Sequence, residues 1–201
     1  AEQIRLLSGR TFWLTQPLPE HGIPGVMLSD GPHGLRAQTG EGEHLGLLGS
    51  IPATCFPPAV TIASSWDPEL VREIGQAVGA EARALGISVV LGPGLNIKRH
   101  PLCGRNFEYL SEDPLLAGHL AAAMVEGIQS RGVGACLKHF AVNNQESHRF
   151  VVDAVLDERT LREIYLAGFE HAVVTSRPRT VMAAYNLVNV TYCCEHDYLL
   201  N

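Results

Sequence analysis

Lysine is scarce in this chain of 201 residues, which contains Lys98 and Lys138 against thirteen arginines. The net charge is −6 and no block of basic residues occurs, which argues against a nucleic-acid-binding surface. No apolar run approaches the ~20 residues of a membrane-spanning helix, and no basic start followed by an apolar stretch indicates a signal peptide. We therefore expect a soluble, cytoplasmic protein that binds neither nucleic acid nor membrane. Localisation is only weakly constrained because the chain begins with Ala1 rather than Met.

Motifs for metals, nucleotides and disulfides are also missing. The nine histidines form no H-E-x-x-H or H-x-H pair. The segment 92–94 lacks the third glycine of a dinucleotide-binding loop, and neither a Gly-Lys-Ser/Thr loop nor a G-x-S-x-G elbow occurs. The cysteines are odd in number and irregularly spaced: Cys55, Cys103, Cys136, Cys193 and Cys194. We predict free, buried thiols in a reducing compartment, with no metal and no cofactor.

What the chain does contain is an alternation of apolar runs and helical patterns. Four short runs are continuously apolar, as in parallel strands covered on both faces: residues 25–28, 88–91, 135–137 and 180–184. Asp67-Pro68 and Asp113-Pro114 predict helix starts, with Gly86 and Gly132 as stops, and Asp157 predicts a third helix. We predict one α/β domain with a parallel sheet. Residues 38–58, rich in glycine, are predicted to form a long surface loop.

Polar residues follow the predicted strands. Asp30 follows the first, Arg105 and Glu108 lie beyond the second, Lys138 and His139 end the third, and Tyr185 ends the fourth. Taken singly, each has a structural explanation, such as a turn cap, an ion pair or a core histidine. Because the carboxyl ends of parallel strands share one side, we expect these groups to form a pocket for a ligand rich in hydroxyl groups.

These segments resemble glycoside hydrolase family 3, particularly its bacterial β-glucosidases. The resemblance runs through the chain in order: 29–36 (SDGPHGLR), 52–57 (PATCFP), 91–97 (LGPGLNI), 104–114 (GRNFEYLSEDP), 138–146 (KHFAVNNQE) and 185–189 (YNLVN). It implies a TIM-type (β/α)8 barrel, of which residues 1–201 would be the N-terminal portion, without the remaining strands and the second domain. It also implies a small-molecule glycoside or oligosaccharide as substrate.

The resemblance assigns roles to five residues in the subsite for the non-reducing sugar. Asp30 would accept hydrogen bonds from neighbouring hydroxyls, Arg105 and Lys138 would donate, and His139 could do either. Tyr185 would lie beside the sugar ring and position the nucleophile. Glu108 is a candidate partner of Arg105, with a purely structural ion pair equally compatible.

The same resemblance implies a retaining mechanism with a carboxylate nucleophile and an acid/base residue. The aspartate nucleophile is expected one strand beyond the Tyr-Asn segment and the acid/base glutamate in a later domain, both beyond Asn201. We therefore expect no catalytic residue in this chain, and an inactive isolated fragment.

Two other functions stay open: a non-catalytic sugar-binding module, and a Schiff-base aldolase barrel with Lys138 as nucleophile. The chain also departs from the family pattern at Val190, where a glycine is usual, and at Cys194, where a serine is usual. Because valine poorly tolerates positive φ, the turn at Val190 is expected to differ.

Overall fold

A computed structural model describes residues 2–38 and 49–201. Its strands are β1 Leu28–Asp30, β2 Val89–Leu91, β3 Gly134–Phe140, β4 Asp153–Ala154, β5 Thr180–Ala183, β6 Leu187–Val188 and β7 Thr191–Tyr192. Its α-helices are α1 Glu2–Leu6, α2 Ala59–Ala63, α3 Pro68–Ala84, α4 Pro114–Gln129, α5 Glu158–Thr160, α6 Ala167–Ser176 and α7 Asp197–Leu200. Short 3₁₀ turns span Pro19–His21 and Asn106–Glu108, and a π-helical segment, Leu161–Leu166, joins α5 to α6.

The main sheet has four parallel strands in the order β1-β2-β3-β5, and helices lie between consecutive strands. This confirms the predicted α/β class and the parallel pairing. Neighbouring strands that follow one another along the chain, each with a helical crossover, are the repeating unit of a (β/α)8 barrel. The described residues therefore form the first strands of an incomplete barrel.

The first strand lies further along the chain than predicted. It was expected at residues 25–28, but the parallel pairing with β2 begins at Leu28 and ends with Asp30 opposite Leu91. The preceding residues pair instead with the N-terminal segment, where Thr15 N donates to Val26 O at 3.1 Å and Leu14 forms an antiparallel bridge with Met27. The apolar run is therefore shared between two kinds of pairing.

The predicted helix starts are confirmed, and their caps are visible. The Asp67 carboxylate accepts from the backbone N–H of Glu69 at 2.9 Å, and that of Asp113 accepts from Leu115 at 2.7 Å. Gly86 and Gly132 follow the two helices with φ of 70° and 79°. Asp157 caps the third helix, which continues through the π-helical segment into α6.

The core lies between the sheet and the two long helices. Val71 and Val78 of α3 and Leu120 and Ile128 of α4 are fully buried. Helix α4 packs against α3 and α6, and a Cβ added to its Gly127 would lie 2.3 Å from the carbonyl oxygen of Arg72. Glycine is therefore required there for the two backbones to approach.

A second sheet, β4-β6-β7, was not predicted, because its strands have two residues each and no apolar run marks them. Asn189 and Val190 form its β6–β7 turn, with φ of 48° and 69°. Val190 therefore adopts the positive φ that valine was expected to tolerate poorly. The Asp153 carboxylate accepts from Val190 N at 3.0 and 3.1 Å and holds the turn in this conformation.

All five cysteines are free thiols. The expectation that they are buried is right for Cys136 and Cys193 and wrong for Cys55 and Cys194, which are exposed. Of the predicted loop 38–58, residues 39–48 lie outside the described part, and 49–58 contain no helix or strand beyond a bridge between Gln38 and Ser50. Among the described helices, none is both long and apolar enough to cross a membrane.

Candidate functional site

The polar residues predicted at the strand ends lie around one cavity of about 740 Å³. Asp30 is the last residue of β1, Lys138 and His139 belong to β3, and Tyr185 follows β5. Arg105 and Glu108 arrive on the loop after β2, at the 3₁₀ turn Asn106–Glu108. The structure thus brings together all five predicted binding residues and the predicted partner Glu108.

Glu108 connects two of the cations. Its carboxylate pairs with Arg105 Nε and, through the other oxygen, with Lys138 Nζ at 3.1 Å. Lys138 and Glu108 are 3% and 5% exposed, so this ion pair is buried. Burial raises the pKa of Glu108, but Lys138 and Arg105 outweigh it and hold the pKa below the ordinary 4.5. Glu108 is therefore an ionised carboxylate at neutral pH.

The ion pairs continue on both sides of Glu108. Lys138 Nζ lies 3.8 Å from Asp30, and Asp30 lies 3.7 Å from Arg36. In the other direction, Arg105 lies 3.9 Å from Glu146, which pairs with Arg149 at 3.1 Å. We call this alternating series the charge chain; its members are Arg36, Asp30, Lys138, Glu108, Arg105, Glu146 and Arg149.

His139 is fixed by its backbone and by its ring. Its N–H donates to Asn96 Oδ1 and its carbonyl accepts from Asn96 Nδ2, both at 2.8 Å. Its Nδ1 lies 3.0 Å from the hydroxyl of Tyr109. Burial, together with Arg105 and Lys138, lowers the pKa of His139 to about 3, so its ring is neutral at physiological pH.

Tyr185 lies at the rim of the cavity and is 54% exposed. Its ring contacts Phe150 at a centroid distance of 4.8 Å, and the guanidinium of Arg149 lies 5.2 Å from its centre. Glu146 pairs with Arg149 and holds this guanidinium beside the Tyr185 ring. No role was predicted from the sequence for either residue.

Several cavity residues were missed from the sequence: Phe12, Trp13, His33, Arg36 and Arg149. Arg36 and His33 belong to the segment 29–36. Arg36, the cation two residues after Gly34, could have been predicted from that segment as a cavity residue. Burial lowers the pKa of His33 to about 4, which keeps this ring neutral too. Phe12 and Trp13 come from the N-terminal segment that pairs with residues 26–27, and no local pattern indicates that pairing.

The described groups of the cavity can form many hydrogen bonds. The carboxylates of Asp30 and Glu108 lie between cations, and Lys138 Nζ lies between these two carboxylates, to which it can donate. Ionised acceptors and fixed donors arranged in this way match adjacent hydroxyl groups, each of which both donates and accepts.

The sequence of this chain is similar to those of known proteins. Residues 24–201 match the glycosyl hydrolase family 3 N terminal domain. The chain is 58% identical over 199 residues to thermostable beta-glucosidase B of Acetivibrio thermocellus, covering 99% of this chain and 26% of that protein. It is 51% identical over 203 residues to exo-alpha-(1->6)-L-arabinopyranosidase of Bifidobacterium breve, again covering 99% and 26%. The chain therefore spans about a quarter of the length of these relatives.

Solved structures of beta-glucosidases are similar to this chain as well. Beta-glucosidase 3B from Thermotoga neapolitana in complex with alpha-D-glucose superposes with a TM-score of 0.92 at 45% identity, covering 100% of this chain and 30% of that one. Beta-glucosidase from Kluyveromyces marxianus in complex with glucose gives 0.92 at 41% identity, covering 99% and 23%.

Proposed function

This chain belongs to glycosyl hydrolase family 3, and we propose that it is the N-terminal portion of the barrel domain of a retaining β-glucosidase. In this proposal Asp30, Arg105, Lys138 and His139 bind the terminal glucosyl residue, and Tyr185 borders it. The single observation that carries the proposal is the convergence of these side chains from four strand ends on one cavity.

The chemistry of the cavity supports a sugar as ligand. Asp30 is the least buried carboxylate of the charge chain, with a side chain 34% exposed, and can accept from two adjacent hydroxyls. Lys138 and Arg105 keep donors beyond those used by Glu108, because an ammonium has three and a guanidinium five. The names of the relatives and the glucose complexes of the similar structures favour glucose among the pyranoses.

The reaction itself needs two carboxylates about 5 to 5.5 Å apart, one of them free to attack carbon. Glu108 is buried between Arg105 and Lys138, and Glu146 is bound by Arg149, so neither suits that role. We propose that the aspartate nucleophile and the acid/base glutamate come from parts of the parent protein outside residues 1–201. Residues 1–201 would then bind a sugar without hydrolysing its glycosides.

Isothermal titration of the 201-residue chain with glucose tests this proposal. We expect a dissociation constant on the order of millimolar, weakened at least about tenfold in Asp30→Asn because a charged hydrogen bond is lost. Glu163→Gln, at an exposed ion pair with Arg159, is the matched control and leaves binding unchanged. Absence of binding to any pyranose refutes the proposal. If the 201-residue chain hydrolyses an aryl β-glucoside and Asp30→Asn abolishes this activity, the proposal that the chain binds sugar without catalysis is refuted.

A second candidate substrate follows from the relatives named exo-alpha-(1->6)-L-arabinopyranosidase, at 51% and 50% identity. Arabinopyranose lacks the exocyclic CH₂OH group of glucose, so the same titration with L-arabinose separates the two. The Schiff-base alternative is disfavoured, because Lys138 Nζ is engaged in ion pairs with Glu108 at 3.1 Å and Asp30 at 3.8 Å. A non-catalytic sugar-binding module would have the same cavity. It would differ from the proposed β-glucosidase only in that the parent protein lacks the nucleophile.

A further inference from the structure

One wall of the cavity is supported by a row of hydrogen-bonded side chains beneath it. Asn143 Nδ2 donates to Glu146 Oε1 at 3.2 Å and to the hydroxyl of Tyr109 at 2.9 Å, and this hydroxyl lies 3.0 Å from His139 Nδ1. We call the row the Glu146 relay; its members are Glu146, Asn143, Tyr109 and His139. We propose that the Glu146 relay fixes the proton of the neutral His139 ring on Nε2, so that Glu146 is a positioning residue and His139 can only donate towards the cavity.

The first step is the orientation of Asn143. Its NH₂ group faces a carboxylate, which can only accept, and a flipped amide would place Oδ1 against that negative charge. The other oxygen of Glu146 pairs with Arg149 at 3.1 Å. Asn143 is 6% exposed, so water cannot readily substitute for these contacts. The charge of Glu146 therefore decides which end of the amide faces Tyr109.

The second step is the direction of the Tyr109 proton. Tyr109 is fully buried, and burial raises the pKa of its hydroxyl, so the O–H stays protonated. The oxygen already accepts from Asn143. If His139 Nδ1 also donated to this oxygen, neither of the two neighbours would accept the Tyr109 proton. A buried donor without an acceptor costs about 1–3 kcal/mol. The favoured arrangement has Tyr109 donating to His139 Nδ1.

The third step concerns the imidazole. Burial keeps the His139 ring neutral, and a neutral imidazole carries one proton. Because Nδ1 accepts from Tyr109, that proton is on Nε2, the ring nitrogen left for a ligand in the cavity. The sequence allowed His139 to donate or to accept; the relay restricts it to donating. On the proposed function, His139 then requires an oxygen lone pair of the sugar at this point.

Nitrogen NMR of the chain with ¹⁵N-labelled histidine tests the relay directly. In the unliganded wild type we expect Nδ1 of His139 to be pyridine-like and Nε2 to carry the proton, with His139→Gln identifying the signal. A proton on Nδ1 overturns the proposal without any further variant. In Glu146→Gln the carboxylate becomes an amide, Asn143 can turn, and we expect a second population protonated on Nδ1.

Controls separate the relay from general damage. Glu163→Gln removes the same charge at an exposed site and should leave the His139 tautomer unchanged. Asn143→Asp replaces the NH₂ donor by an acceptor, to which the Tyr109 O–H can donate instead of to His139. It should therefore also produce a population protonated on Nδ1, and it decides the question if Glu146→Gln does not fold. A pure Nε2–H signal in a folded Glu146→Gln or Asn143→Asp overturns the proposal.

The functional consequence is measured with glucose as the probe. We expect Glu146→Gln to weaken binding by about fivefold or more, the equivalent of one hydrogen bond of about 1 kcal/mol, with Glu163→Gln as the unchanged control. Unchanged affinity together with an altered tautomer refutes the donor role of His139. If the wild type binds no sugar but has the expected tautomer, the relay is supported and the proposed function fails.

Discussion

Replacing Glu108 by Gln is the sharpest test of how the cavity is held together. Glu108 bridges Arg105 and Lys138, and both it and Lys138 are nearly inaccessible to water. Glutamine has the same shape but no charge, so the substitution leaves the Lys138 ammonium buried with Asp30 as its remaining carboxylate, 3.8 Å away. The perturbation is therefore electrostatic and not a change in packing.

The size of the effect follows from burial. Removing one partner of a buried ion pair costs about 3–5 kcal/mol, because the other charge stays desolvated. Asp30 and, for Arg105, Glu146 at 3.9 Å offset part of this loss, which places the expected destabilisation near the lower limit, about 3 kcal/mol. The exposed Glu163–Arg159 pair provides the comparison, since Glu163→Gln should cost less than about 1 kcal/mol.

Urea unfolding followed by circular dichroism measures both values. A double-mutant cycle with Lys138→Met strengthens the test, because removing both charges should destabilise less than Glu108→Gln alone. A Glu108→Gln chain as stable as the Glu163→Gln control would refute the reasoning. So would strict additivity of the two single changes, since it would mean that the buried charges do not interact.

Three further predictions follow from the same structure. Val190→Gly should raise the unfolding free energy by about 1 kcal/mol, because the exposed valine lies at φ 69°; a lower urea midpoint contradicts this. His139 and His33 have pKa values of about 3 and 4 in the folded chain, below the ordinary 6.5, so the unfolded chain takes up their protons first as the pH falls. Stability should be full above pH 6.5 and lower by about 2 kcal/mol for each histidine at pH 5; urea midpoints that do not change with pH contradict this. Asp113→Ala should cost about 1 kcal/mol through loss of the α4 cap, measured by thermal unfolding, and an unchanged melting temperature contradicts it.

The fold was predictable where the signals are local. The proline and aspartate at the start of α3 and α4 act through their own backbone, and the apolar runs of β2, β3 and β5 are continuous. The position of β1 was not predictable in the same way, because residues 26 and 27 are apolar for a different partner, the N-terminal segment. The two-residue strands of the second sheet depend on tertiary contacts such as that between Asp153 and the β6–β7 turn.

The candidate site was predictable in its position but not in its connections. The strand ends predicted where the polar groups lie. Ion-pair partners such as Lys138, in β3, and Glu108, on the loop after β2, are thirty residues apart and could not be predicted in this way. Arg149 and Glu146 follow β3, yet their contacts to Tyr185 and Asn143 depend on the path of that loop. A pairing between distant segments leaves no periodic trace in the sequence.

The connections matter because they determine how much binding must reorganise. In the charge chain each carboxylate lies between two cations. The donors and acceptors of these side chains are therefore oriented before a ligand binds, and binding loses less free energy in ordering the side chains. The rings of His33 and His139 lie in the same cavity and are neutral. On the proposed function, the glucosyl residue therefore meets donors and acceptors that ion pairs already hold in position.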